Sequence, residues 1–548
     1  MTRSVIDPIT RIEGHLRVEM EVTNGKVSDA WVSGGCFRGM ELVVQDRTPE
    51  DAAQIVQRIC GVCPISHAHA SSIATERAYG ITISNNARII RNLLEGAQFL
   101  HSHILWLYNL AALDYVNPLN ALTADIADTY ALAEAAGTSA NSDFAQLKDR
   151  LKNFADNGQL SIFSGNWFDA EDGTAFKLPP ELDLICTAHY LEALQMQAKA
   201  SQISGLLGGK MPHIMTLIPG GTAFVPTEQK LDDLKALVDE LHAWVTTTVI
   251  PDTLALAQYY PEALEFGKGC GRYIAWGVFE RPSMEYADRY LPMAVLDENL
   301  NVSDVDEHLI TEYMGHSWYK GDDTYNSPYF VTDPDFTSYD VNDRYTWVKC
   351  PAYDGKPYEA GGLSRVLAAY KRNVPEIVDM VDDMLKALGI PGQIAPLQST
   401  LGRTAVRQIE TVYISQTLCS NGLMSSSRLL RAAIANTSVS RKASPVLVRV
   451  CGRLRVVLSI TAKRSKMARS LAIRSSFRLR GTWLRLTLMA FMVLWSKVLL
   501  VCRLAISKSR SMHFVPFTAL TPAPLAQYIL LSRQQARASR RLLALGGG

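Results

Sequence analysis

The chain has 548 residues, a length that suggests two to four domains, and the composition of an ordinary globular protein. Its formal net charge of +1 conceals a split: residues 421–548 hold 23 of the 55 Lys and Arg and no acidic residue, leaving 32 basic against 54 acidic groups, a net of −22, in residues 1–420. Nine cysteines, an odd number spread over so long a chain, exclude a disulfide framework. One folded domain rarely divides its charge this way, so the strongest boundary is expected near Asn421.

The N-terminal stretch has no apolar run and is read as lacking a signal peptide. Alternation of Leu16, Val18, Met20 and Val22, then Asn24-Gly25, then Val27 to Val32 predicts a β-hairpin within residues 5–35. Pro49 opens a short helix to Ile59, which delivers the segment Arg58-Ile59-Cys60-Gly61-Val62-Cys63-Pro64-Ile65-Ser66-His67. Residues 67–79 and 86–113 carry apolar residues at helical spacing, the second with His101, His103 and a closing Asp114. Those two histidines read as polar contacts inside a bundle rather than as metal ligands. Further helices are predicted over 181–207, ended by Gly208-Gly209, over 227–258, over 375–389, and from Gln398 onward. Residues 262–360, rich in aromatics, Asp, Asn, Gly and Pro, read as an irregular lobe with short strands. The fold class expected is mainly α, a long-helix bundle at 49–260 and 375–420, with a small N-terminal β-hairpin and a mixed α+β lobe.

The chemistry concentrates at Cys60 and Cys63. A CxxC loop turns two sulfurs toward one point, where a soft metal can be chelated. Arg58 is expected to set a cation beside them and favour thiolates, while Gly61 and Pro64 shape the turn. The motif alone reads equally as half a zinc site, a redox dithiol or two buried cysteines. By the residues alone, Glu13 would pair with Arg11 or Arg58, Glu41 with Arg38, and Asp114 would be either a cap partner or a buried functional acid.

Seven stretches in order then narrow the choice: Asp7-Pro8-Ile9-Thr10-Arg11-Ile12-Glu13-Gly14-His15, Phe37-Arg38-Gly39-Met40-Glu41, Arg58 to Cys63 with His67, Ala112-Leu113-Asp114, Gly208-Gly209-Lys210-Met211-Pro212-His213, His316-Ser317-Trp318-Tyr319, and Ser399-Thr400-Leu401-Gly402-Arg403. Together they cover about residues 5–418, and over that span the chain resembles the large, catalytic subunit of nickel–iron hydrogenases of the membrane-associated uptake type. The resemblance implies a nickel and an iron ion bridged by cysteine thiolates, the iron carrying carbon monoxide and cyanide. It makes Cys60 a nickel ligand, Cys63 a ligand of both metals, Glu13 the proton relay, Glu41 a magnesium ligand, and Asp114 and His67 residues that orient the site. It implies reversible oxidation of H₂, with electrons leaving through a separate iron–sulfur small subunit, since the chain has no cysteine array for clusters. It further implies a maturation protease and nickel-insertion chaperones, membrane contact through partners, no nucleic acid, and export with the small subunit to the periplasmic side of the cytoplasmic membrane, the cytoplasm being the alternative.

The chain departs from that pattern at its end. Four cysteines are needed, yet no second CxxC follows Cys63, and neither the closing Asp-Pro-Cys-x-x-Cys-x-x-His nor the Arg-Gly segment over the metals is present. Two thiolates do not hold two metals, so the chain as written is expected to be inactive. The apolar stretch 486–500, broken by Lys497, is too short for a membrane span. Moving the codon frame of Leu520-Thr521-Pro522-Ala523 back one base gives triplets that permit Asp-Pro-Cys. Continuing through Ile529 permits a second Cys, then Val and His. The same shift at Asn421 to Ser425 permits Trp-Phe-Asp-Glu. Residues 421–548 therefore read as an out-of-frame tail without a native fold, the frame being lost between about Thr411 and Asn421. Two other readings stand beside this one: the quinone-site subunit of respiratory complex I, against which Cys60 and Cys63 argue, and a non-catalytic protein whose basic tail binds nucleic acid or anionic membrane.

Overall fold

The computed structural model describes residues 2–12, 14–138, 142–161, 176–320, 325–326 and 333–417. The tail from 421 and Glu13 lie outside the described residues.

Three N-terminal strands come first: β1 (Thr2–Ile6), β2 (Leu16–Thr23) and β3 (Lys26–Gly34). The hairpin expected from the alternation is β2–β3, turned by Asn24 and Gly25, both with positive φ as a two-residue turn requires. β1 adds a third antiparallel strand, pairing Ile6 with Val18. Its polar residues gave no alternation strong enough to separate it from the segment that follows.

Helices make up most of what remains. In chain order they are α1 (Met40–Val43), α2 (Pro49–Ile55), α3 (Pro64–Tyr79), α4 (Asn85–Leu105), α5 (Ile126–Ala135), α6 (Phe144–Asp156), α7 (Pro180–Gly208), α8 (Glu228–Tyr259), α9 (Gly362–Lys371), α10 (Pro375–Ala387) and α11 (Thr400–Gln416). The core is a closed ring in which α4 packs on α7 and α11, and α8 on α7 and α11. Leu93, Leu94, Leu100 and Ile104 of α4 meet Ile203, Leu234, Val245 and Ile409 in one fully buried cluster. Burying such side chains contributes about 1.5–3 kcal/mol each, so this ring is the rigid frame on which the rest hangs.

α4 does not run on to Leu113 as its periodicity suggests. After Leu105 it widens into a π-helical stretch, Trp106–Ala111, then tightens into the 3₁₀ turn Ala112–Asp114. Arg11 donates to the Leu110 carbonyl there, and wide turns of this kind recur at functional sites.

Between α8 and α9 lies the aromatic-rich lobe of short strands, among them Tyr273–Ala275, Ala294–Leu296, Ile310–Tyr313 and Cys350–Tyr353. Its rings reach back to the N-terminal region: Phe37 stacks on Trp347 at 4.4 Å between centroids, and Trp318 packs edge-on to Trp347 at 5.3 Å. This fixes the chain just before Arg38 and Glu41. α11 is capped by Ser399, whose hydroxyl accepts from Gly402 N at 2.9 Å. Gly402 is required because a Cβ there would sit 2.3 Å from the Pro396 carbonyl oxygen and 2.5 Å from Leu397 Cα. Arg403 holds the same end to the lobe through a two-pronged bond to Glu359, at 2.8 and 2.7 Å. Among the described residues no helix is long and apolar enough to cross a membrane.

Candidate metal centre

α2 begins at Pro49 behind a Thr48 cap, which accepts from Asp51 N at 3.1 Å, and runs into the 3₁₀ turn Val56–Ile59. That turn ends at Cys60. Cys63 is the N-cap of α3, so both sulfurs sit where the helix start carries partial positive charge and favours an anion. Cys60, Cys63 and His67 are 4%, 7% and 1% exposed, and their ligand atoms all lie within 4.8 Å of one another. Cys63 N–H points at Cys60 Sγ at 3.1 Å, and His67 Nε2 lies 3.7 Å from Cys63 Sγ. Among the described residues, His67 Nδ1 is buried without a hydrogen-bond partner. Burial, with the Arg38 charge added to it, pushes the His67 imidazole down to about 4, leaving it neutral and able to ligate at ordinary pH.

The cation beside the loop is Arg38 rather than Arg58. Arg58 is exposed and turns back to the Gln54 carbonyl at 2.6 Å. Arg38 spans the loop entry, donating to the Arg58 carbonyl at 2.8 Å and to that of Ile59. Residues 208–213 close the other side: Gln57 Nε2 donates to the Ile214 carbonyl at 3.1 Å, and His213 bonds to the backbone of Cys60 and Gln57.

Asp114 does not act as a cap. It is half-buried and salt-bridged through Oδ1 to Arg11, while Oδ2 is buried with no hydrogen-bond partner among the described residues. Burial raises its carboxyl to about 6 despite the opposing guanidinium. We therefore expect its carboxyl stretch in the infrared to titrate with a midpoint near 6, and Arg11→Gln to move that midpoint higher. A midpoint near 4 that Arg11→Gln leaves in place would contradict the assignment. Arg11 is engaged with Asp114 and the Leu110 carbonyl, and the pairing expected for Glu13 lies outside the described residues.

Glu41 does not take up Arg38, whose donors go to carbonyls. Its charge instead bears on Glu312 and Tyr319 of the lobe. Glu312 is 3% exposed, and neither of its carboxylate oxygens has a hydrogen-bond partner. Lys349 Nζ stands 3.6 Å away, just beyond hydrogen-bond reach. Burial raises the Glu312 carboxyl, Lys349 opposes this, and Glu41 adds to the rise. Glu41 is itself exposed, so the two carboxylates act on each other through charge, and the unpartnered oxygens are those of Glu312. Glu312 and Lys349 escaped the sequence reading because nothing near either residue in the chain marks it as more than strand polarity.

His103 makes a polar contact inside the bundle, as expected of it, with a partner on α11: its Nε2 is 2.9 Å from Glu410 Oε2. Glu410, fully buried, also receives Arg365 at 2.5 and 2.8 Å. His101 Nδ1 is buried without a partner.

The sequence profile of nickel-dependent hydrogenases matches residues 38–448, and a HoxL-like profile matches residues 3–33. The Hydrogenase-2 large chain of Escherichia coli K12 is 37% identical over 431 residues, covering 74% of this chain and 75% of that one. The uptake hydrogenase large subunit of Rhizobium leguminosarum bv. viciae is 36% identical over 448 residues, covering 75% and 74%. Among solved structures, the Ni-Fe-Se hydrogenase of Desulfovibrio vulgaris Hildenborough in the reduced state superposes with a TM-score of 0.63 at 31% identity, over 77% of this chain and 79% of that one. The chain belongs to the nickel-dependent hydrogenases, as a large, catalytic subunit. The complex I alternative finds no support in these matches.

Nickel–iron chemistry belongs to this family. The buried thiols, the neutral imidazole and the helix start fit a soft metal. They are half of what two metals need, because the sequence contains no second CxxC.

Proposed function

We propose that this subunit oxidises H₂ reversibly beside an iron–sulfur small subunit, on the periplasmic side of the cytoplasmic membrane, once its reading frame is intact through the end. Cys60 would hold nickel, Cys63 both metals, with carbon monoxide and cyanide on the iron. A nickel–iron pair would supply the heterolytic splitting of H₂ and accept two electrons, so that each H₂ yields two protons and two electrons in all. The residues of this chain do the rest. Glu13 would take the proton, the role that the family resemblance gives its carboxylate. Asp114, anchored by Arg11, fixes the polar wall of the site, and His67 orients the Cys63 sulfur. Glu41, with Glu312 behind it, holds magnesium. Nickel-insertion chaperones and a maturation protease complete assembly, and membrane contact comes through partners.

The observation that carries this reading is the buried cluster of Cys60, Cys63 and His67 at the start of α3. In this proposal the tail is the product of a coding slip between about Thr411 and Asn421, and the shifted frame restores Asp-Pro-Cys-x-x-Cys near 520–529. The test is a gene with the frame restored, expressed with its small subunit and maturation proteins. About one nickel and one iron per chain and H₂-dependent dye reduction are expected, with neither in the chain as written. A restored protein that takes up no nickel, or a native gene whose open frame runs unbroken as given, defeats the proposal.

A further inference from the structure

We infer that, in the chain as written, Cys60, Cys63 and His67 form a mononuclear site for one thiophilic divalent cation of the Zn²⁺ class, with two thiolates, one imidazole and an open fourth position. This rests on the reading above in one respect, that residues 421–548 contribute no second thiol pair.

One edge of the donor triangle matches a single tetrahedral ion, and the others lie within reach of it. With metal–sulfur bonds of about 2.3 Å and metal–nitrogen bonds of about 2.0 Å, a tetrahedral S–N edge comes to about 3.5 Å. The Cys63 Sγ to His67 Nε2 separation is 3.7 Å, and no pair among the three donors exceeds 4.8 Å. These donors converge on one point. Cys63 and His67 are one helical turn apart and share a face of α3, and Cys60 is brought to it by the loop.

Charge gives the same answer. Taking up the ion releases both thiol protons, so Zn²⁺ plus two thiols becomes a neutral dithiolate complex plus two H⁺. A site at most 7% exposed then buries no net charge. Two divalent metals on the same pair would leave two positive charges uncompensated in the interior, at a cost of several kcal/mol for each. The Cys63 N–H on Cys60 Sγ and the start of α3 both stabilise sulfur as the anion. An S₂N set at tetrahedral spacing suits d¹⁰ zinc, whereas four-coordinate nickel(II) prefers a square plane. The chain as written is then a zinc binder whose open position takes water or a small thiol, and zinc there occupies the place nickel needs.

The full chain as written, reduced and stripped with chelator under anaerobic conditions, would be titrated with Co²⁺ as a spectroscopic substitute. One Co²⁺ per chain is expected, with thiolate-to-cobalt charge-transfer bands and visible bands of tetrahedral cobalt. One equivalent of Zn²⁺ should displace it, and about two protons should be released per ion. Cys60→Ser and Cys63→Ser should each abolish stoichiometric binding. His67→Ala should weaken it by about tenfold or more while the thiolate bands persist. Cys36→Ser and Cys186→Ser should leave it unchanged, with far-ultraviolet dichroism confirming the fold of every variant. Alkylation of Cys60 and Cys63, followed by mass spectrometry in crude extract with and without Zn²⁺, reads the same site without purification. At least tenfold protection by zinc is expected. Absence of saturable cobalt binding together with unprotected thiols overturns the inference, as does binding that survives Cys60→Ser. If the frame-restored heterodimer loads nickel and iron while this chain takes no zinc, only the present inference falls. If the restored heterodimer loads neither metal, it is the hydrogenase assembly proposed above that fails.

Discussion

Glu410→Gln is expected to destabilise the helical core by about 3–5 kcal/mol, the usual cost of breaking a buried ion pair from one side. Glu410 is fully buried on α11 and faces Arg365 of α9, Arg407 one turn back on its own helix, and His103 of α4. Both guanidiniums lie over aromatic rings, Arg365 5.0 Å from the Phe99 centroid and Arg407 4.2 Å from that of Trp106. Burial works to raise the Glu410 carboxyl, but Arg365, and His103 after it, outweigh this and hold it down at about 2. Burial lowers Arg407 to about 9, against the pull of Glu410. His103 is pushed down to about 4 by burial in spite of Glu410, so near neutral pH it donates to the carboxylate as a neutral ring. Without the carboxylate, two cations are left in the interior with only ring faces as partners. A carboxyl whose folded value is depressed stabilises fully above its ordinary value of 4.5, and that contribution fades as pH falls toward 2. The parent should therefore lose its advantage over Glu410→Gln across that window. Removing the charges together, Glu410→Leu with Arg365→Met and Arg407→Met, should recover much of the loss. Urea unfolding followed by helical dichroism makes the measurement, and a single variant within 1 kcal/mol of the parent would show the cluster to be incidental.

That cluster also shows where sequence reading stops. The ring of long helices could be read from apolar residues spaced three and four apart, and the Asn24-Gly25 turn from two residues that tolerate positive φ. The metal-facing loop was equally accessible, because Cys60, Cys63 and His67 are neighbours along the chain and one turn of helix brings them together. Glu410 meets Arg365 and His103 across 45 and 307 residues, and no local pattern announces such a pairing. The assignment of the loop cation to Arg58 failed for the same reason: adjacency in sequence favoured it, while the tertiary fold brought Arg38 over the turn instead. The influence of Glu41 on Glu312 needed the lobe in place, since Glu312 comes from a strand some 270 positions later. The charge boundary near Asn421 needed no structure, because it rests on composition alone.

In a frame-restored heterodimer, Cys63→Ser is expected to cut H₂-dependent dye reduction by about a thousandfold or more and to remove iron along with nickel, whereas His67→Gln should retain both metals at reduced turnover. The difference follows from the donors. A serine hydroxyl is far less acidic than a thiol of ordinary pKa about 8.5, and as a hard oxygen it bridges soft metals poorly. Neither the start of α3 nor the backbone donor in the loop can make up that difference, since such local dipoles contribute about 0.3–2 kcal/mol. His67 stands differently. At 3.7 Å from the Cys63 sulfur it can steer that atom, and glutamine retains a polar group able to do part of the same. Changes to groups that orient a ligand typically cost about ten- to a hundredfold, well short of losing the ligand itself. Metal content by mass spectrometry, read beside activity, separates the two cases. If Cys63→Ser kept iron in full and lost only nickel, Cys63 would be a ligand of nickel alone and the bridge between the metals would have to come from sulfurs at the other end of the chain.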